Sequence, residues 1–533
     1  MVVCLLPKQD TRVQFPSLAL QIKMGGATSV SRLKIMQNQP SNIKLDARLS
    51  SVKAMKKVIK ERKGFDWIII VSPNQNQADF WKERLSCLTG QVVGENTKIV
   101  SQTEDWLNGA GQLLGTLYAF QKANRRNLSA GKQVNLLNEL KKGKKIAIYH
   151  TSGLGKRMAP LSLSEECKSS IKLPRPIKIG EEKNFITLLE ATIFSTQIFA
   201  PSREKRLVVF WGDQIIIPST NPGMEEDCPV ELFGIQKAIP QKAESWEREW
   251  RNYGILAANR KNEFLQREKI SWQVFKRLKR ELELKDLQKS LGFFSVSLEF
   301  LKALLNEFKE DLKKKEGKLD TDPHLWTPLT SSRIEYLKMG GSLVHWQRIK
   351  KFKERFLKNG KTQASLIRVE DVGRDSFWWD FGNIESYQRN LLKVLSQNSE
   401  GECLRKFFEL ERFRMSEMKK PGLEVENSIL VNSRIKGKVQ NSLILNTNVK
   451  NLNVSKSLLY NVETPKLLGQ EAIAYNLQEP KEIFLERRDV LTDIFSKVGK
   501  IRVKTKTFRN GKKDWENKIL ENPVSYQRLT ELT

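Results

Sequence analysis

The stretch "IAIYHTSGLGKRMAPLS", Ile146 to Ser162, is the point on which the reading of this chain turns. An apolar, partly aromatic run gives way to Ser152-Gly153-Leu154-Gly155-Lys156-Arg157, and a proline follows at Pro160. The pattern predicts a short buried strand that ends in a tight turn, since glycine tolerates left-handed backbone far better than other residues. A turn of this kind presents backbone N–H groups. With Lys156 and Arg157 beside them, it can cradle phosphate oxygens. Taken alone, the stretch reads as well as a plain chain reversal.

The neighbourhood supports a strand at that place. Upstream, "SVKAMKKVIKER" has helical spacing, "DWIIIVS" is a buried strand, "QADFWKERLSCL" is amphipathic and "TKIVSQT" is a second strand. A Gly-rich loop that runs into a helix follows in "NGAGQLLGTLYAFQKAN", Asn108 to Asn124. Downstream, "KRLVVFWGDQIIIPS" is a strand that ends at Asp213, "GILAANRKNEFLQREK" is a hairpin within a highly charged helical region, and Ser365 to Leu395 reads strand, loop, helix. Strands alternating with helices imply an α/β unit with a mainly parallel sheet covered on both faces. Gly153 and Gly155 then lie at the carboxyl end of a strand, where open α/β sheets bind ligands.

With 533 residues and 39% hydrophobic content the chain can bury a sizeable core. Lys and Arg number 92 against 61 Asp and Glu, a net +31, which suits nucleic acid, an anionic membrane surface or phosphate-rich small substrates. The bases are spread along the chain, so much of the excess reads as solvated surface and a nucleic-acid partner as the lesser expectation. Five cysteines without regular spacing and three histidines argue against a disulfide framework or a structural zinc site. No apolar run approaches the roughly 20 residues that span a bilayer. The expectation is a cytoplasmic protein, with residues 1–45 a disordered lead-in or an organellar targeting segment.

After Met418 the texture changes. "NSILVN" at Asn427, "NSLILN" at Asn441 and "KSLLYN" at Lys456 repeat at 14 and 15 residues, which suggests stacked coils of a short β-solenoid, with a β-meander as the alternative. The expected organisation is a catalytic domain over 46–400, a helical linker over 401–424, the solenoid over 425–470 and an extension over 471–533. The solenoid offers a surface for self-association.

Four elements in order carry a resemblance. Gly153, Gly155, Arg157, Pro160 and Leu161 with Lys172 in "KLPRP", Asp213 in "FWGDQ", Glu268-Lys269, and Trp378 or Trp379, Asp380, Gly382 and Tyr387 in "WWDFGNIESY" are similar to the signatures of the sugar-1-phosphate nucleotidyltransferase (nucleotide-sugar pyrophosphorylase) family. The loop lies deep in the chain, behind a second Gly-rich segment and a His at His150. That order most resembles fucose-1-phosphate guanylyltransferases and the pyrophosphorylase part of bifunctional fucokinase enzymes. Ser152, Met158 and Ala110 depart from that branch, so neither sugar nor base follows.

The resemblance implies a Rossmann-like nucleotidyltransferase core with a mixed, mainly parallel sheet, followed by a short left-handed β-helix. It implies transfer of a nucleotidyl group from a nucleoside triphosphate to a sugar 1-phosphate. Asp213 and Asp380 would hold Mg²⁺, Arg157 and Lys172 would act on the phosphates, Gly109, Gly111, Gly153, Gly155 and Lys156 would bind the nucleotide, and Glu268 and Lys269 would bind substrate. Each residue keeps an ordinary reading. Asp213 can cap a turn, Asp380 can serve a helix N-terminus, Glu268-Lys269 can be surface and the first Gly-rich segment can serve helix packing. Lys168 is as near the loop as Lys172, and only the proline spacing favours the latter. A regulatory nucleotidyltransferase-like protein without activity is the rival reading.

Overall fold

The computed structural model describes residues 46–125, 134–151, 153, 155–223, 228–259, 264–284, 286–359, 366–496, 498–509, 522 and 525–532. The expected lead-in over 1–45, and Ser152 and Leu154 of the loop, lie outside the described residues. In chain order the core strands are β1 (Trp67–Ser72), β2 (Lys98–Thr103), β3 (Ile146–His150), β4 (Lys172–Ile179), β5 (Glu182–Thr187), β6 (Arg206–Trp211) and β7 (Gln214–Ile217). After these come β8 (Val230–Gln236), β9 (Gly254–Ala258), β10 (Phe264–Glu268), β11 (Asp286–Ser297), β12 (Ile367–Asp371) and β13 (Phe377–Asp380).

The main sheet runs β10-β9-β11-β6-β3-β1-β2, with β8 on β11 and β12 on β8. The side β2-β1-β3-β6 is parallel, as is the β8–β12 pair, whereas β11 runs antiparallel to β6, β8 and β9. The sheet is therefore mixed, with a parallel side and an antiparallel side meeting at β11. Its strands alternate faces, as pleated backbone must. Ile68, Ile70, Ala147, Tyr149, Val208 and Phe210 share one core with the helices Ala47–Lys60, Gln75–Ser86 and Leu188–Thr196, while Ile69, Val71, Ile146, Ile148, Leu207 and Val209 share another with Gly111–Asn124 and Leu298–Glu307. Burial on both faces explains why β1 reads as one unbroken apolar run.

From Leu423 the chain winds into stacked coils. Parallel pairs join Leu423 to Gly437, Ile429 to Leu443, Leu443 to Leu458 and Leu458 to Ile473. Left-handed backbone at Asn427, Asn441, Lys456 and Glu471, and again at Asn432, Asn446, Asn461 and Asn476, turns two corners of each coil. Asparagine suits such corners because it tolerates positive φ and can hydrogen-bond along the stack. The Asn446 amide donates to Asn461 Oδ1 (3.0 Å), and the Asn461 amide donates to Asn476 Oδ1 (2.9 Å). The stack does not end at residue 470, where the repeats suggested. Ile473–Gln478 adds a further coil whose "EAIAYN" keeps the corner asparagine, and Asp489–Ser496, paired antiparallel with Gly499–Lys506, closes the stack. Likewise, the stretch expected as a helical linker contains the strand Arg414–Lys420, antiparallel to the first coil.

One face of the stack is completed by the core. Ile429, Leu443, Leu458, Tyr460, Ile473 and Tyr475 belong to the same apolar cluster as the sheet. Phe185 packs edge-on against Tyr460, with ring centroids 5.7 Å apart.

Candidate functional site

The chain leaves β3 through Thr151, whose N–H and hydroxyl both donate to the Val71 carbonyl (3.0 and 2.9 Å). Gly153 and Gly155 both have φ of +60°. At Gly155 a second constraint applies: a Cβ there would lie 2.5 Å from Cβ and 3.0 Å from Cγ of Lys168. The loop is closed by Lys168 N–H donating to the Gly153 carbonyl (3.1 Å) and by Ser162 Oγ–H donating to the Gly155 carbonyl (3.1 Å). A short turn over Lys156–Met158 then leaves Lys156 and Arg157 exposed.

Lys168 runs along Gly155 and delivers its ammonium 2.7 Å from Asp213 Oδ2. The two side chains are only 7% and 20% exposed, a setting in which a charge-assisted hydrogen bond is strong. Asp213 stands just before β7, and β7 pairs antiparallel with β13, setting Asp380 opposite Gln214. The two carboxylates therefore come from neighbouring strand ends of one ribbon. Burial, and then the negative charge of Asp213, raise the Asp380 carboxyl above its ordinary value, against the pull of Lys168 and Arg157. Gly382 faces the same point, because a Cβ there would lie 3.6 Å from Asp380 Oδ2 and 3.7 Å from Arg157 Nη2. Gly155, Arg157, Lys168, Asp213 and Asp380 thus form one cluster at the carboxyl ends of β3 and β6.

Lys172, expected beside the phosphates, is not in that cluster. Its ammonium pairs with Glu165 (3.2 Å), its N–H donates to the Tyr475 hydroxyl (3.0 Å) and its carbonyl accepts from the Tyr387 hydroxyl (2.7 Å). Tyr475 in turn donates to Glu165 (2.8 Å), so Lys172 fastens the core to the coils. Lys168 takes the place expected of it.

Gly109 and Gly111, expected to cradle the nucleotide, are also committed elsewhere. Both have φ of +76°, but the N–H groups around them are occupied. Ala110 N–H donates to Glu104 (2.5 Å), Gln112 N–H to Asp320 Oδ1 (2.9 Å) and Leu113 N–H to the Leu319 carbonyl (2.9 Å). A Cβ at Gly111 would stand 2.6 Å from that carbonyl oxygen. This segment docks a helix N-terminus onto another part of the core. His150 belongs to the same joint: its Nε2 lies 2.9 Å from Thr116 Oγ1, whose proton goes to the Gln112 carbonyl, so the ring nitrogen donates. Burial drives this imidazole down to about 4, which keeps it neutral.

Glu268 ends β10 and Lys269 follows it, at the open end of the β9–β10 hairpin. They pair with each other at 3.3 Å, Lys269 exposed and at φ +49°. Burial raises the Glu268 carboxyl, and its charge helps raise that of Asp322. Glu268 is paired in register with Gly254, next to Tyr253. Tyr253 is one of the residues the sequence did not single out. Its ring meets Trp378 edge-on at 4.9 Å, and the Trp378 indole N–H donates to Gln214 Oε1 (2.8 Å) beside Asp213. No motif signals Tyr253, which reaches the cluster only through the turn after Trp250.

Among the described residues, no group of three or more His, Cys, Asp or Glu is arranged to hold a metal, and no helix is long and apolar enough to cross a membrane. No protein-family model matches the chain, and no curated protein matches it. Among solved structures, mannose-6-phosphate isomerase from Helicobacter pylori is similar at 10% identity over 58% of this chain and 98% of that one, with a TM-score of 0.20. A likeness that slight carries no argument.

Proposed function

We propose that the protein transfers a nucleotidyl group from a nucleoside triphosphate to a sugar 1-phosphate and releases pyrophosphate. In this reading the core is of the Rossmann-like nucleotidyltransferase type and the coils form a left-handed β-helix. One observation carries it: Asp213 and Asp380 meet on the β7–β13 ribbon beneath a Gly-rich turn, with Lys168 and Arg157 in the same cluster. Both reactants are anions, so positioning and charge neutralisation supply most of the rate. An acceptor phosphate oxygen attacks the α-phosphorus in line, a new P–O bond forms, and the bond to the departing pyrophosphate breaks. That oxygen is already ionised and no general base is required. The Arg157 guanidinium suits the departing charge as a fixed fork of donors, and Lys168 suits the α-phosphate. The N–H groups of Gly153 and Gly155 would complete the cradle.

The residues present fit Mg²⁺. Burial, and then the negative charge of Asp213, raise Asp380, a cost that a hard divalent cation relieves, and Mg²⁺ is commonly held by one or two carboxylates with waters and phosphate oxygens. Asp213 and Asp380 would hold it, and when bound it would neutralise charge on the phosphate oxygens. Base and sugar are set by pocket side chains. The GDP-fucose type is the resemblance to test first.

A second reading, a nucleotidyltransferase-like regulatory protein without turnover, is favoured by Lys168 already engaging the Asp213 carboxylate. A pyrophosphate-release screen of the four nucleoside triphosphates against a panel of sugar 1-phosphates separates the two. Transfer predicts one preferred pair, with release abolished by EDTA and in Asp213→Asn. Silence across the panel supports the regulatory reading.

A further inference from the structure

The wall that approaches Asp380 from β11 carries two polar groups to which the reading above gives no role. Lys289 lies in β11 just before its bulge, with Nζ 5.2 Å from the ring centroids of both Trp250 and Tyr253. Its described contacts are these two rings, with Glu249 and Lys237 as its charged neighbours, and burial brings the amine down to about 8. Beyond it the Tyr253 ring leans on Trp378, and its hydroxyl senses Asp380, Arg157 and Arg389. Neither the ammonium nor the phenol has a hydrogen-bond partner among the described residues. Polar groups held in partly dry surroundings without partners are the usual preparation for a hydroxylated ligand, because they supply hydrogen bonds that water makes poorly there.

The order along the wall is carboxylate pair, indole and phenol, then ammonium. We propose that this wall is the subsite for the acceptor's sugar ring: Tyr253 and Trp378 flank the ring, and the Tyr253 hydroxyl and Lys289 ammonium bind its hydroxyl oxygens on the side away from the phosphate. The inference rests on the nucleotidyl-transfer reading and names the part of that substrate which Lys289 recognises.

The test compares the wild-type protein with Lys289→Met and Lys289→Gln by kinetics and by calorimetric titration of hexose 1-phosphates, using inorganic phosphate as the second probe. Loss of one hydrogen bond to the sugar predicts a KM for the sugar 1-phosphate about tenfold higher in Lys289→Met, partly restored in Lys289→Gln, with the nucleotide KM unchanged. Inorganic phosphate should bind all three proteins alike, and the thermal midpoint of Lys289→Met at pH 7 should equal or exceed that of wild type. An unchanged sugar 1-phosphate KM, a parallel rise in nucleotide KM, or equal weakening of inorganic phosphate overturns the assignment. If wild type turns over no substrate pair, the transfer reading fails on its own. The calorimetry still decides this one: hexose 1-phosphate binding weakened by Lys289→Met upholds it, and no binding or unchanged binding overturns it.

Discussion

Lys168 and Lys172 lie close together in sequence, and the structure gives them opposite duties, so Lys168→Met and Lys172→Met form a sharp pair. In Lys168→Met the Asp213 carboxylate loses a hydrogen bond of 2.7 Å from a nearly buried ammonium. Hydrogen bonds to charged groups contribute about 1.5–3 kcal/mol, and since Asp213 is one-fifth exposed, water recovers part of the loss, leaving about 2 kcal/mol. The larger effect falls on chemistry, where removal of one donor aimed at developing charge costs about 10²–10³ in kcat. Lys168 also holds the Asp380 carboxyl down, so the acid limb of kcat/KM should move to higher pH. Lys172→Met removes the ion pair to Glu165, which keeps its bonds from Tyr475 and Asn476. Its cost should be about 1–3 kcal/mol in stability with kcat within about threefold of wild type. Urea unfolding and pyrophosphate release measure both quantities. A folded Lys168→Met with wild-type kcat, or a folded Lys172→Met without activity, would refute the placement.

The remaining predictions concern the loop, the carboxylate pair and the coils. Asp380→Asn should abolish turnover yet raise the thermal midpoint at pH 7. The folded carboxyl is held above its unfolded value, so its ionisation weakens the fold as pH rises past the unfolded value, and that penalty is absent in the amide; a lowered midpoint at pH 7 and an unchanged one at pH 3 would contradict it. Gly155→Ala combines left-handed backbone, about 1–2 kcal/mol, with a Cβ 2.5 Å from the stem of Lys168, so it should lower both stability and kcat, whereas Gly180→Ala, also left-handed but facing open space, should cost stability alone. Asn461→Gly keeps the corner conformation but breaks the ladder between Asn446 and Asn476, and Asn461→Ala loses both. Chemical denaturation should rank them wild type, Gly, Ala, in steps of about 1 kcal/mol.

Much of the architecture was legible in the chain itself. Unbroken apolar runs such as "WIIIVS" announce strands buried on both faces, and the 14- and 15-residue recurrence of Asn-flanked triplets announces stacked coils, because a coil of fixed length returns each residue type to the same corner. The fourth coil was hidden by one changed corner residue, Glu471 where its predecessors carry Asn or Lys. Gly153 and Gly155 were legible too, since positive φ leaves few alternatives to glycine. Which lysine meets Asp213 was not. Lys168 and Lys172 are chemically identical, and their fates follow from a buried turn over Lys168–Ser170 that points one toward Gly155 while Lys172 opens β4 against Tyr475. The same limit hid the docked ends of the Gly109–Gly111 segment and the wall of Tyr253 and Lys289. Local sequence dictates backbone shape and which faces turn inward. The partner of a long, flexible charged side chain is chosen by whatever distant segment the fold brings within its reach, and that choice belongs to the tertiary structure alone.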